Sequence, residues 1–110
     1  MGKRYTKNLG VILNNINKIN SYVGFALKSG RVSKGIDNIT KSTKLVLCDT
    51  SLTEVGLKSA EHKAKQINAE LAVLDFKELS CLGGGIKVLG IKNTSLANQI
   101  SSLIKMEEDN

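Results

Sequence analysis

The chain has 110 residues, of which 41% are hydrophobic and 24% charged, with a net charge of +6. That length allows one domain with a core of its own, needing neither disulfide nor metal staple. Aromatics are only 4% and Trp is missing, so the core must be aliphatic; readers of single strands that stack bases on several rings are disfavoured.

The charge is unevenly placed. Glu107, Glu108 and Asp109 hold three of the 10 carboxylates, so residues 1–106 set 16 cations against 7 carboxylates, or +9. A basic body with a short acidic tail (106–110) fits a polyanion, nucleic acid before membrane. A solvated basic surface is the plainer alternative. Cys48 and Cys81 lie far apart in apolar surroundings, without CxxC spacing and with His62 as the one histidine. They read as buried, reduced thiols in a cytoplasmic protein, with no metal set. Lys3, Arg4 and Lys7 precede only a short apolar run broken by Gly10, which is not a secretory leader, and no stretch has the length of a membrane span.

Residues 1–8 read as a loose basic arm. Ile12, Ile16, Ile19, Val23 and Ala26 then recur at helical spacing, and Ser29-Gly30 ends that helix behind Lys28. Gly24 within it costs about 1 kcal/mol relative to Ala, which predicts close packing there. Arg31–Ser33 is a very short strand or link. A helix starting at Ser33 or Lys34-Gly35 follows, with Ile36 and Ile39 on one face and Asp37 in its first turn. Lys44-Leu-Val-Leu-Cys48 reads as a strand buried on both faces. Ser51 and Glu54 have capping-box spacing before a helix that runs to about Asn68, striped by Leu57, Ala60, Ala64 and Ile67. Leu71–Leu74 is a second strand. Asp75–Leu82 is a short helix facing Leu79 and Leu82 inward, Gly83–Gly85 ends it, and Ile86–Ile91 is a third strand. Asn93 or Thr94 caps a last helix striped by Leu96, Ile100 and Leu103, and Met106 onward frays. Strands alternating with amphipathic helices predict a layered α/β domain with a mixed or parallel sheet.

The stretch Gly30–Lys41, GRVSKGIDNITK, concentrates glycines and cations around a predicted helix start. Glycines let a backbone approach a ligand, and helix N-termini offer free N–H groups to phosphate. Gly83–Gly85 does not match a nucleotide loop. It follows a helix, precedes a strand, lacks the Gly-Lys-Ser/Thr ending, and has Val88 where GxGxxG needs its last glycine. It reads as a loop on which a partner's backbone can lie. His62 falls on the charged side of its helix, Ser51 is explained by capping, and no acid–base pair is evident, so catalysis is not expected. A small-molecule site beyond Asp49 would require a closed polar pocket.

At these residues the chain resembles the kink-turn RNA-binding ribosomal family of the L-seven-Ae and L-thirty-e proteins, nearest the bacterial YlxQ-type branch. The similarity covers about Ile19 to Ile104. Tyr22–Arg31 is similar to the family's first helix and its Gly-basic exit. Gly35-Ile-Asp-Asn-Ile-Thr-Lys41 lies without gaps on the motif Gly-x-Asn-Glu-x-x-Lys. Lys44-Leu-Val-Leu matches the next strand, and Phe76-Lys-Glu-Leu79, then glycines, then Ile86–Ile91 match the late segment and final strand. The resemblance implies a three-layer α/β/α sandwich with a four-stranded mixed sheet, Arg31–Ser33 supplying the fourth strand. It implies a single non-catalytic RNA-binding domain over 1–110, with no cofactor and no metal. Structured RNA, rRNA-like or otherwise kinked, is the implied partner, and the ribosome the implied setting; no membrane and no small-molecule substrate are expected. The implied contacts are Gly30, Arg31, Ser33, Lys34, Gly35, Ile36, Asp37, Asn38 and Lys41, with Gly83, Gly84, Gly85 and Ile86 as the second loop. Asp37 stands where the family has Asn, and Asn38 where it has Glu. A carboxylate only accepts hydrogen bonds and repels phosphate. The alternative is therefore a protein-interaction module on the same fold with a weakened RNA site, docking on a ribosomal or transcription partner.

Overall fold

Period-two alternation decides how this chain layers. In β3 (Leu45–Asp49), Leu45 and Leu47 face one side of the sheet and Val46 and Cys48 the other; in β4 (Glu70–Leu74), Ala72 and Leu74 oppose Leu71 and Val73. Both faces of these strands are buried, so both must be covered. The computed structural model describes residues 4–6 and 9–108, with side chains from 16 to 104. Its remaining elements are β1 (Arg4–Thr6), α1 (Leu9–Ser29), β2 (Val32–Lys34), α2 (Glu54–Gln66), β5 (Val88–Ile91) and α3 (Thr94–Glu108), with single 3-10 turns at Ile36–Asn38, Phe76–Glu78 and Ser80–Leu82.

The strand order is β1-β4-β3-β5-β2. β1, β4 and β3 run parallel, β5 is antiparallel to β3, and β2 is antiparallel to β5. The four-stranded mixed sheet is β2 to β5. Arg4–Thr6 adds a short fifth strand against β4, where the sequence had read a loose arm; the other positions of that arm lie outside the described residues.

α1 and α3 cover one face. Ile16, Ile19, Val23 and Ala26 of α1 and Ala97, Ile100 and Ile104 of α3 pack on Leu45, Leu47, Ala72, Leu74, Leu89 and Ile91. α2 covers the other face with Ala60 and Ala64, helped by Ile39. Burying each of the Ile, Leu and Val side chains contributes about 1.5–3 kcal/mol and each Ala methyl about 0.8 kcal/mol, so both layers are held by area. This is the α/β/α sandwich.

Several local expectations need correction. The helix expected after Gly35 is one 3-10 turn, and that expected over Asp75–Leu82 is two, although Leu79 and Leu82 are buried as predicted. α2 is capped by Thr53, whose Oγ1 accepts from Gly56 N at 3.1 Å; Ser51 instead donates to Asp49. Asn93 caps α3, accepting from Leu96 N at 3.0 Å. Residues Met106 to Glu108 continue α3 rather than fray. Cys48 is buried but Cys81 is exposed. A Cβ on Gly24 would meet Cys81 Cβ at 3.8 Å, ordinary contact, so close packing does not require that glycine.

Candidate nucleic-acid interface

The sheet has two ends. Parallel β3 and β4 finish at Asp49 and Leu74; β2 finishes at Lys34 and β5 begins at Val88 beside them. The segments following β2, β3 and β4 and preceding β5 therefore meet at one end. Gly35 N donates to Val88 O at 2.9 Å, and Asp49 N to Lys87 O at 2.8 Å. These bonds set the Gly35 turn, the Gly83–Lys87 loop and Asp49 side by side.

Gly35 has φ +87° and ψ 151°, a region open essentially to glycine alone. It turns the chain out of β2 into Ile36–Asn38. Ile36 packs half-buried against the α2 side, while Asp37 and Asn38 are exposed. Asn38 Nδ2 donates to Lys34 O at 2.7 Å and so caps the strand end. Gly83 and Gly85 also take positive φ, and a Cβ at Gly83, Gly84 or Gly85 would meet no heavy atom within 4 Å. The loop stands clear of the body.

Asn20, on α1, fixes where that loop begins. Its Oδ1 accepts from Cys81 N at 3.2 Å, its Nδ2 donates to Ser80 Oγ at 3.2 Å, and its backbone oxygen accepts from Cys81 Sγ at 3.5 Å. Partial desolvation against α1 pushes the Cys81 thiol above its ordinary pKa, although the residue as a whole is exposed. Asp49 anchors the other side. Its Oδ1 accepts from Phe76 N at 2.8 Å, and its Oδ2 from Ser51 Oγ. Partial burial pushes the Asp49 carboxyl up, but bonds from the Ser51 hydroxyl and from the N–H groups of Phe76, Ser51 and Thr50 outweigh it and hold the pKa below its ordinary value. Neither anchor was read from sequence: a lone Asn on a helix and an Asp after a strand carry no pattern that names a partner 60 or 27 residues away.

Between these parts lies a cleft of about 230 Å³, lined by Asp49, Phe76, Lys77, Ile86, Lys87 and the three glycines. It is open to solvent and mixed in character, not the closed polar pocket that a small-molecule site would need.

The expected contacts do not all gather here. Gly35, Ile36, Asp37 and Asn38 join Gly83–Ile86. Gly30 and Arg31 lie at the opposite end of β2, where Lys92 N donates to Arg31 O at 3.0 Å. The three residues of β2 separate Arg31 from Gly35, four backbone steps or roughly 13 Å. Ser33 is 5% exposed, its side chain inside the fold. Lys41 sits in the next turn, closed by Thr43 N to Thr40 O at 3.0 Å, which carries the chain across the α2 side to Lys44 at the far end. The Gly35 N–H expected at phosphate is occupied by Val88, and one 3-10 turn offers no helix dipole. The charge differs too. Described side chains at this end are Lys34, Lys58, Lys77 and Lys87 against Asp37, Asp49, Glu54, Asp75 and Glu78, with Lys58 4.0 Å from Glu54, an acidic excess of one.

No family model and no curated protein sequence matches the chain. Among solved structures it is similar to a protein of unknown function from Bacillus halodurans C, with a TM-score of 0.71 and 19% identity, over 80% of this chain and 97% of that one. That likeness shows the fold.

Proposed function

We propose that this is a non-catalytic RNA-binding protein of the kink-turn type, contacting structured RNA with the glycine end of its sheet. The observation that carries the reading is the Gly35–Val88 hydrogen bond, which holds the two loops of the resemblance at one end of the sheet, the second of them bordering an open cleft. Exposed Asp37 offers its carboxylate oxygens to a purine edge, and Asn38, one N–H of which is held by Lys34 O, offers Oδ1 and its second N–H. Gly83–Gly85 leave room for a backbone to approach, and Lys77 and Lys87 flank the cleft with positive charge. Shape, more than linear sequence, then sets selectivity. Two free cysteines favour a reducing compartment, the cytoplasm. No helix among the described residues is long and apolar enough to cross a membrane.

The test compares binding to a kinked RNA and to a straight duplex of equal length, for the wild type and Gly84→Leu. A Cβ at Gly84 meets nothing within 4 Å and the residue's φ is not positive, so the backbone accepts a side chain there while the loop surface changes. The expected outcome is a wild-type preference for the kinked RNA that falls at least about tenfold in the variant, roughly 1.4 kcal/mol, with thermal stability unchanged. Equal binding of both RNAs by the wild type would sink the reading. It would favour the protein-interaction module, a second reading supported by the acidic excess here and by the commitment of the Asn38 amide to Lys34 O.

A further inference from the structure

Among the described side chains, cations with little acidic company gather at the end of the sheet away from the glycine loops. β2, β5 and β3 lie side by side there, and the residues flanking them are Arg31, Lys92 and Lys44. Backbone bonds fix the three together: Lys92 N donates to Arg31 O at 3.0 Å, and Lys44 N to Ile91 O at 2.8 Å. Arg31 and Lys44 are exposed and Lys92 is half-buried. Two interstrand spacings separate the outer pair, roughly 10 Å. α1 ends at the same place with Lys28 and α2 with Lys65.

Some of this charge has a local explanation. Lys28 and Lys65 sit at helix C-termini, where cations complement the dipole. Arg31, Lys44 and Lys92 flank strand ends and have no such role. The described carboxylate at this end is Glu70, half-buried and accepting from Ser101 Oγ at 2.8 Å. Holding like charges together costs free energy that a polyanion removes.

We infer that the Arg31–Lys44–Lys92 end is a second nucleic-acid surface, one that holds duplex RNA by its phosphates without reading sequence, opposite the loops that read shape. Duplex nucleic acid carries a backbone charge about every 1.7 Å of axis, so a patch of this width meets several phosphates. A membrane surface is a poorer fit, because interfacial binding needs apolar side chains among the cations. Among the described residues the exposed large hydrophobics are Phe25 and Val55; Val55 belongs to the first turn of α2 at the glycine end, and Phe25, one turn before Lys28 on α1, is a single ring beside the cations rather than an apolar face.

The deciding experiment is a salt titration of binding to a straight RNA duplex. It uses the full chain, the triple variant Arg31→Gln/Lys44→Gln/Lys92→Gln, and a mirror triple Lys34→Gln/Lys77→Gln/Lys87→Gln, all checked for unchanged thermal stability. Each lost phosphate contact removes about 0.7–0.9 from the slope of log K against log salt. The first triple is expected to lower the slope by about 2 to 3 and to weaken duplex binding at least about tenfold at low salt. The mirror triple should lower the slope by less than about 1. An unchanged slope in the first triple, or an equal fall in the mirror triple, overturns the inference. So does loss of binding to phosphatidylserine vesicles with duplex binding intact. The Gly84→Leu comparison is independent: if the kinked-to-straight ratio is unmoved there, the reading of the glycine end fails while this slope result stands.

Discussion

At one end of the sheet the chain places glycines, at the other cations. The glycine end is a set of loops held by side-chain anchors, Asn20 and Asp49, with a small acidic excess. The cationic end has short connections tied by backbone bonds, so its charges follow directly from the strand register. Selective contact needs surfaces held in place, and adhesion to phosphate needs only charge at the right spacing. On the proposed reading the first property belongs to the glycine end and the second to the cationic end, roughly 13 Å apart along β2. In the sequence they look like one motif, because Gly30–Lys41 runs from one end to the other and most of the way back.

Removing the Asp49 anchor should separate the ends most strongly. Asp49→Ala leaves the Phe76 N–H without its acceptor and releases Ser51, at a cost of about 1–3 kcal/mol. Urea unfolding should register that loss; preference for kinked RNA should fall while the duplex salt slope stays unchanged. A matching fall in the slope would mean that the ends are coupled. The same carboxylate gives a pH signature. Its folded pKa is depressed, so its stabilisation is complete above the unfolded value and is lost as pH falls through the folded one. Thermal stability of the wild type should therefore drop below about pH 4 more steeply than that of Asp49→Asn.

Next in size is Gly35→Ala. Its φ of +87° with ψ 151° strains any side chain, and a cost of about 1–3 kcal/mol is expected in chemical denaturation. A loss below about 0.5 kcal/mol would mean that the turn relaxes and the two loops are not rigidly joined. The smallest effect has the opposite sign. Gly24 is helical, and its Cβ would find only Cys81 at 3.8 Å, so Gly24→Ala should stabilise by about 0.5–1 kcal/mol in the same assay. Destabilisation there would show that the contact between α1 and the Ser80–Leu82 turn is tighter than this spacing implies.

Much of the fold was legible because burial imposes periodicity. Ile16, Ile19, Val23 and Ala26 marked α1, and the runs at Leu45 and Leu71 marked the doubly covered strands. The short elements were not legible, since a 3-10 turn and a helix start share the same residues. Ile36 and Ile39 suggested a helical face, yet both are apolar because the chain crosses the α2 side of the sheet. Gly90 went unnoticed inside a strand; a Cβ there would come within 3.1 Å of Thr43 Cγ2, and this close approach lets the Ile39–Thr43 segment lie over β5. Of the candidate site, the glycine loops were found by composition. The separation of Arg31 and Lys41 from Gly35 was hidden, because neighbours in sequence move apart at about 3.3 Å per residue once they lie in a strand.

The sequence by itself determined the layers, the aliphatic core and the net positive charge, because each is a property of local pattern or of total composition. Tertiary structure alone decided which end of the sheet each charge occupies, that Asn20 and Asp49 are anchors, and that Gly35 meets Val88. Those depend on strand order and direction, which bring residues tens of positions apart within 3 Å and separate residues only four apart.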